Sequence, residues 1–187
     1  MKKSPQNPSY PWYQVERWDS LEQGDLLPNC PIVLPPPNLS EKLIGINEGD
    51  KLELPTLIQF ADLIIMSQSC DLTQNKITQV LLCAHFSASS LGKGDRNSIR
   101  KEQRPALHMI EKCEIEGFEF ERQIIDFRTI YTLPKDFVTA FANSLNQRVR
   151  LLPPYKEHLS QSFARYFMRV GLPRPLEEDK TESNQVQ

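Results

Sequence analysis

The apolar run from Leu63 to Met66 constrains the fold more than any other stretch of this sequence. It holds four consecutive apolar residues, two of them β-branched isoleucines, which suits a strand and is too short for an ordinary helix. Because side chains alternate between the two faces of a strand, burial of consecutive residues requires that both faces of the sheet be covered. We therefore predict a central strand over residues 62–67 in a sheet that is packed on both sides.

The sequence after this run predicts further antiparallel strands. Ile77–His85 is a second β-rich apolar run that follows a predicted turn at Asn75–Lys76, so we expect the two runs to pair. Leu107–Ile110 and Phe118–Phe127 are typical of a hairpin that turns near Gly117.

Residues 24–27 predict the first strand of the sheet, which the chain enters through a Gly-Asp turn. Five prolines follow between Pro28 and Pro37. Proline lacks the N–H that a sheet ladder needs, so we expect this segment to be extended and outside the ladder.

Three helices are predicted from charge and apolar spacing. The charged stretch 95–104 is typical of a short exposed helix, and residues 135–145 form a second helix. The last helix, over 155–170, is amphipathic and ends before a Gly-Leu-Pro sequence. We expect its apolar face to pack on the sheet through Leu159, Phe163, Phe167 and Val170.

A chain of 187 residues can bury the core of one domain. We predict a single α+β domain over 12–173, with the strands at about 20–134 and two C-terminal helices after them, between polar disordered segments at 1–11 and 174–187. No apolar run approaches the roughly 18 residues that cross a membrane, and none follows the N-terminal lysines as in a secretion signal. We therefore expect a cytoplasmic protein with reduced cysteines and no membrane partner.

The order of these segments resembles the small SH3-like barrel of the MazF/PemK toxin family. The matching pieces, within roughly residues 20–145, are Gly24–Leu27, Leu63–Ser67, Val80–Ala84 and Ile125–Ile130. The resemblance implies an SH3-like, mainly antiparallel β-barrel followed by two C-terminal helices, and a bacterial toxin–antitoxin or phage-defence context. The sequence Ser-Gln-Ser-Cys-Asp-Leu at 67–72 also resembles a motif of uncharacterised bacterial proteins, which implies no activity.

The chain departs from that family where the family's chemistry lies. The family carries an Arg-Pro pair before its first apolar strand, and this arginine acts with a Thr or Ser after the second strand in RNA cleavage. Here the two places hold Gln59-Phe60-Ala61 and His85-Phe86-Ser87. Without a cation to stabilise charge that develops on the phosphate, the mechanism loses its main electrostatic contribution. The resemblance therefore implies a related scaffold without that ribonuclease activity.

Reactive side chains follow the central strand, and three residues are catalytic candidates: Cys70, Asp71 and His85. A catalytic thiol needs a base or a cation nearby, and the plausible histidine partners are His85 and His108, besides His158. A carboxylate next to a thiol disfavours the thiolate. The competing interpretation is structural: Cys70 is a small buried apolar residue, and Asp71 caps the turn.

Metal binding is a second possibility for the thiols. Cys70, Cys83, His85 and Cys113 contain the donor atoms of a tetrahedral Cys3His site. The sequence lacks the closely spaced cysteine pairs of such sites, so isolated thiols are the preferred interpretation. We expect neither a metal nor a cofactor.

Positive charge is concentrated near the C-terminus, although the formal net charge of the whole chain is −2 at pH 7. The segment from Arg148 to Arg174 contains six lysines and arginines and a single acid, Glu157. We predict that a partner binds through four of these residues, which are Arg148, Arg150, Arg165 and Arg169. The alternative is the solvated polar face of an amphipathic helix.

These observations predict a non-catalytic interaction module that binds a protein or a nucleic acid through the basic C-terminal helix. The alternative is a hydrolase or nuclease that acts at the Ser67–Asp71 turn. A homodimer is a further expectation that the sequence leaves open.

Overall fold

The computed structural model describes residues 10–17 and 19–168. Most of the two predicted disordered segments therefore lies outside the described residues. The elements, in chain order, are β1 (Tyr13–Glu16), β2 (Leu26–Leu34), α1 (Leu39–Leu43), β3 (Leu57–Ile65), α2 (Ser69–Thr73), β4 (Gln79–Ser87), α3 (Lys93–Arg100), β5 (Leu107–Ile110), β6 (Gln123–Pro134), α4 (Lys135–Ser144), β7 (Arg148–Leu151) and α5 (Tyr155–Phe167).

The strands form a five-stranded sheet in the order β2-β3-β4-β6-β5 and a two-stranded sheet of β1 and β7. Each strand pair in the described residues is antiparallel, so the α+β class is confirmed. The predicted pairing of the two apolar runs is confirmed, with Leu63 opposite Ala84. The predicted hairpin also forms, with Leu107 opposite Asp126.

The central strand is covered on both faces, as its sequence predicts. Leu63 and Ile65 lie in one apolar core, which α4 covers through Val138 and Ala142. Ile64 and Met66 lie in the other core, with residues of β7 and α5. All four side chains of the run are buried, so neither face of β3 meets solvent there.

The proline-rich segment is part of the sheet, so the prediction that it lies outside the ladder is wrong for residues 30–34. β2 is an edge strand, and Pro31 lies opposite Phe60. An edge strand has one side without a partner, which tolerates a missing N–H. The register shifts between Leu27 and Cys30, where Asn29 takes a positive φ of 50°.

β7 is a strand that the sequence analysis did not predict. It pairs with β1, with Tyr13 opposite Leu151, and all four of its residues are buried. An isolated bridge between Asp25 and Arg150 links β7 to the beginning of β2. The segment that carries two of the predicted partner-binding arginines is therefore internal.

The last helix packs on the sheet through part of its predicted apolar face. Leu159 is fully buried, and the Phe163 ring meets the Phe127 ring edge-on at 5.3 Å. Phe167 is 56% exposed, which corrects its predicted packing, and Val170 lies outside the described residues. None of the helices in the described ranges has the length and apolar character needed to cross a bilayer.

Candidate functional site

The polar turn after β3 is held by its own hydroxyl groups. Ser67 Oγ accepts a hydrogen bond from the Leu81 N–H at 2.8 Å, which ties the end of β3 to β4. Ser69 Oγ accepts from the Gln23 N–H at 3.1 Å, which ties α2 to the loop before β2. Both serines therefore have structural partners.

Cys70 is exposed on α2, which corrects the interpretation of this residue as a buried apolar side chain. Its Sγ lies 3.7 Å from Gln68 Oε1 and 3.7 Å from Asp71 Oδ1. Both neighbours are hydrogen-bond acceptors, and a carboxylate opposes rather than stabilises a thiolate. The contacts around Cys70 are therefore not those of an activated nucleophile.

His85 lies apart from Cys70 and Asp71. The Met66 N–H donates to Leu81 O, so α2 follows the part of β4 near Leu81. His85 is four residues further along β4, which is roughly 13 Å at the rise of a strand. The three predicted catalytic residues are thus not assembled into one site.

The other three cysteines are buried free thiols. Burial raises the pKa of Cys30 to about 11 and that of Cys83 to about 12, and it also raises the pKa of Cys113. Within residues 10–17 and 19–168, no group of three or more His, Cys, Asp or Glu side chains is arranged to hold a metal ion.

Arg148 and Arg150 are not part of an exposed basic surface, which corrects their predicted role in partner binding. They are 3% and 4% exposed, and both donate to Ser20 O. Arg150 donates hydrogen bonds from two nitrogens to the carboxylate of the fully buried Asp25, and Arg148 Nη2 lies 3.5 Å from the same carboxylate. Glu22 adds a second acid at 3.1 Å from Arg150. Their charges are thus compensated inside the protein.

Gly24 makes room for this ion pair. Its φ is +89°, and a Cβ at this position would lie 3.3 Å from Leu151 O. The glycine therefore allows β7 to approach the start of β2, where Asp25 meets the two arginines. The Gly-Asp pair thus has a structural role at this position.

A cluster of positive charge lies elsewhere, in a concave surface that we call the α3–β5 groove. It consists of two adjoining cavities of about 280 and 600 Å³, which share Arg100, Met109 and Arg122. Seven lysines and arginines line it against three glutamates, so its charge is opposite in sign to that of the whole chain. The basic residues are Lys93, Arg96, Arg100, Arg104, Lys112, Arg122 and Arg165.

Three of these cations come from one face of α3. Lys93, Arg96 and Arg100 are spaced by three and then four residues, which places them side by side on a helix. None of them forms an ion pair with another described residue. Their charges are therefore available to an anion from outside the chain.

The remaining arginines of the groove have acidic partners. Arg122 binds Glu111 through two nitrogens at 2.7 and 2.9 Å, and this hydrogen bonding lowers the pKa of the Glu111 carboxyl. Arg104 binds Asp95 at 2.6 Å. Arg165 lies in the groove as an exposed residue, 3.5 Å from Glu102, whereas Arg169 lies outside the described residues.

Aromatic and imidazole rings close the α5 end of the groove. Trp12 stacks on Tyr155 with the ring centroids 3.5 Å apart and the planes within 8°. The rings of His108 and His158 meet edge-on at 5.1 Å, and His158 Nε2 lies 2.9 Å from Glu102 Oε1. Burial lowers the pKa of His108 to about 4, with a smaller contribution from His158.

The sequence analysis missed the three cations of α3 as a functional set. The helix itself was expected at 95–104, and the structure begins it two residues earlier, at Lys93. The spacing 93, 96, 100 is a usable signal, because it places three positive charges on one helical face, whereas Asp95 falls on a different face of the helix.

A comparison of the sequence with models of protein families and with curated proteins finds no match. The functional argument therefore depends on the geometry of the chain itself.

Proposed function

We propose that this chain is a non-catalytic interaction module that binds a nucleic acid along the α3–β5 groove. The observation that carries the proposal is the row of unpaired cations Lys93, Arg96 and Arg100. Phosphate contacts supply most of the affinity of non-specific nucleic-acid binding, and clustered lysines and arginines are the residues that make such contacts.

The dimensions of the row suit a phosphate backbone. Lys93 and Arg100 are seven residues apart on a helix, or roughly 10 Å at 1.5 Å per residue. At the rise of about 3.4 Å per nucleotide that one strand has when its bases are stacked as in a duplex, this length spans about three nucleotide steps. The acidic remainder of the chain repels a polyanion elsewhere, so the groove is the favoured place of contact.

A single strand is the preferred form of the partner. Trp12 lines the α5 end of the groove and is only half-buried, so an unpaired base can stack on it beside the cations. A duplex keeps its bases paired and cannot use such a ring. Arg165 lies at the same end and extends the positive rim toward the last helix.

The scaffold that we propose is the SH3-like barrel of the MazF/PemK type. Support comes from the Gly24–Asp25 start of β2 and from the bridge between Asp25 and Arg150, which links the two sheets. Tyr13 of β1 also donates to Glu111 O just after β5, at the opposite edge. A cytoplasmic role in a bacterial toxin–antitoxin or phage-defence system, and a homodimer, belong to the same proposal.

The experiment is a fluorescence-anisotropy titration of a labelled oligothymidylate at several salt concentrations. The test variant carries Lys93→Glu, Arg96→Glu and Arg100→Glu, and the control carries Lys42→Glu on α1, which lines neither cavity of the groove. We expect the test variant to lose at least about tenfold in affinity and the salt slope to fall by about 2, because three phosphate contacts are removed. The control should match the original protein.

An unchanged affinity and salt slope in the triple variant would overturn the proposal. Binding of a duplex with equal affinity would refute the preference for a single strand. If no nucleic acid binds at low salt while an acidic polypeptide does, the partner is a protein instead.

A further inference from the structure

A third cavity, separate from the two cavities of the groove, lies between the five-stranded sheet and β7. Its volume is about 280 Å³, and we call it the His85 cavity. Phe118, Phe120 and Val149 supply apolar walls, while Asp62 and His85 are among its polar lining residues. An apolar pocket with a few convergent polar groups is the usual form of a small-molecule site.

The polar groups form a row across three neighbouring strands. Leu63 lies opposite Ala84 in the antiparallel β3–β4 pair, so the next pair in register brings Asp62 beside His85. Gln123 of β6 continues the row, and its Oε1 lies 3.2 Å from His85 Nδ1. A polar row on the face that carries the apolar core requires hydrogen-bond partners.

The hydrogen bonds fix which atom of His85 lacks a partner. Gln123 Nε2 donates to Glu121 O at 2.9 Å, so its Oε1 accepts from His85 Nδ1–H. Burial lowers the pKa of His85, so the ring is neutral and Nε2 carries a lone pair. His85 Nε2 is buried and has no hydrogen-bond partner among the described residues. It is a vacant acceptor, and an unsatisfied buried acceptor is costly.

The charged residues around the cavity determine which sign of charge a ligand should carry. Asp62 and Glu119 line it as exposed acids. Arg148 lines it as well, but Asp25 already compensates its charge. Arg148 Nε is the second buried atom without a partner among the described residues, and it requires an oxygen acceptor. A neutral oxygen is sufficient, because the guanidinium already has its carboxylate.

We propose that the His85 cavity binds a small primary amine that has an aromatic body and a neutral oxygen. The amine donates to His85 Nε2 and lies near the carboxylates of Asp62 and Glu119. The aromatic body packs against Phe118 and Phe120. This inference is independent of nucleic-acid binding in the groove, since the His85 cavity shares no lining residue with either cavity of the groove.

The test uses tyramine and 4-hydroxyphenylacetate, which share a phenol and differ in the sign of their charge. Binding to the full chain is followed by calorimetry and by the side-chain ¹⁵N shifts of His85. We expect tyramine to bind at millimolar concentration or below with a shift at His85 Nε2, and the acid to bind at least tenfold more weakly. Asp62→Asn and His85→Phe should each weaken tyramine binding about tenfold, whereas Lys42→Glu should not.

Asp62→Asn keeps the test valid if His85→Phe does not fold, because the Asp62 side chain is exposed. Failure of tyramine to bind at millimolar concentration would overturn the inference. Equal binding of the acid would also overturn it, as would tyramine binding that neither variant weakens.

Discussion

Burial separates the four cysteines into one accessible thiol and three protected thiols. Cys70 is exposed on α2, whereas Cys30 and Cys83 are fully buried and Cys113 is 2% exposed. A buried thiolate loses its solvation, which is why the pKa of Cys83 rises to about 12. Alkylation proceeds through the thiolate, so burial reduces both access to these three thiols and their reactivity.

Iodoacetamide should therefore label the native protein once, at Cys70. Peptide mass spectrometry identifies the site, and we expect adducts on the other cysteines only after unfolding in denaturant. A Cys70→Ser variant, which should take up no label in the native state, is the control. Early labelling of Cys30 or Cys83 would contradict the buried positions. Labelling of Cys70 much faster than that of free cysteine would favour the alternative of a hydrolase at the Ser67–Asp71 turn.

Among the elements, β7 is the one whose role depends most on distant residues. Its sequence Arg-Val-Arg-Leu gives two charges in a short strand, and yet all four residues are buried. Asp25 and Arg150 are 125 residues apart in sequence. Their pairing allows both arginines to be internal, because a buried guanidinium needs a partner for its charge and its N–H groups.

Asp25→Asn should destabilise the fold by about 3–5 kcal/mol, because it leaves two buried arginines without their shared carboxylate. Urea denaturation of the variant and of the original protein gives this difference. Glu53→Gln is the matched control, since it removes one negative charge at an exposed position. A loss of less than about 1 kcal/mol would mean that Glu22 and backbone oxygens compensate the arginines adequately.

Local patterns in the sequence predicted the elements whose burial depends on their own residues. Leu63–Met66 required a strand covered on both faces, and Leu159 and Phe163 placed α5 on the core. The local sequence does not show that β2 is an edge strand, where prolines are tolerated. The prolines of β2 alone therefore predict a segment outside the sheet. The same limit applies to Arg148, whose acid is distant in sequence.

In the candidate site, too, some features follow from the local sequence and others depend on tertiary contacts. Exposure of Cys70 and its separation from His85 are consequences of how β3 and β4 pair, which the residue types alone do not specify. The cations of α3 are a local pattern and could be predicted from their spacing. Their lack of acidic partners depends on tertiary contacts, because the nearby Asp95 pairs with Arg104 instead.

At the scale of the whole molecule, one internal histidine makes stability depend on pH. His108 is 7% exposed and lies between Phe127 of the sheet and His158 of α5. Burial lowers its pKa to about 4, from 6.5 in the unfolded chain. The unfolded state therefore binds a proton first as the pH falls, and the folded state loses stability between pH 6.5 and pH 4.

Replacing His108 should make the protein less sensitive to acid. Between about pH 7 and about pH 4.5, proton linkage at this histidine lowers the free energy of unfolding by about 2–3 kcal/mol. The His108→Phe variant lacks this histidine, so its free energy of unfolding should fall by about 2–3 kcal/mol less over the same range. Urea midpoints of both proteins at the two pH values provide the measurement. Carboxylate titration is common to the two proteins and cancels in the comparison. Parallel losses of stability would show that His108 takes up its proton in the folded state as readily as in the unfolded chain, and that its burial is incomplete in solution.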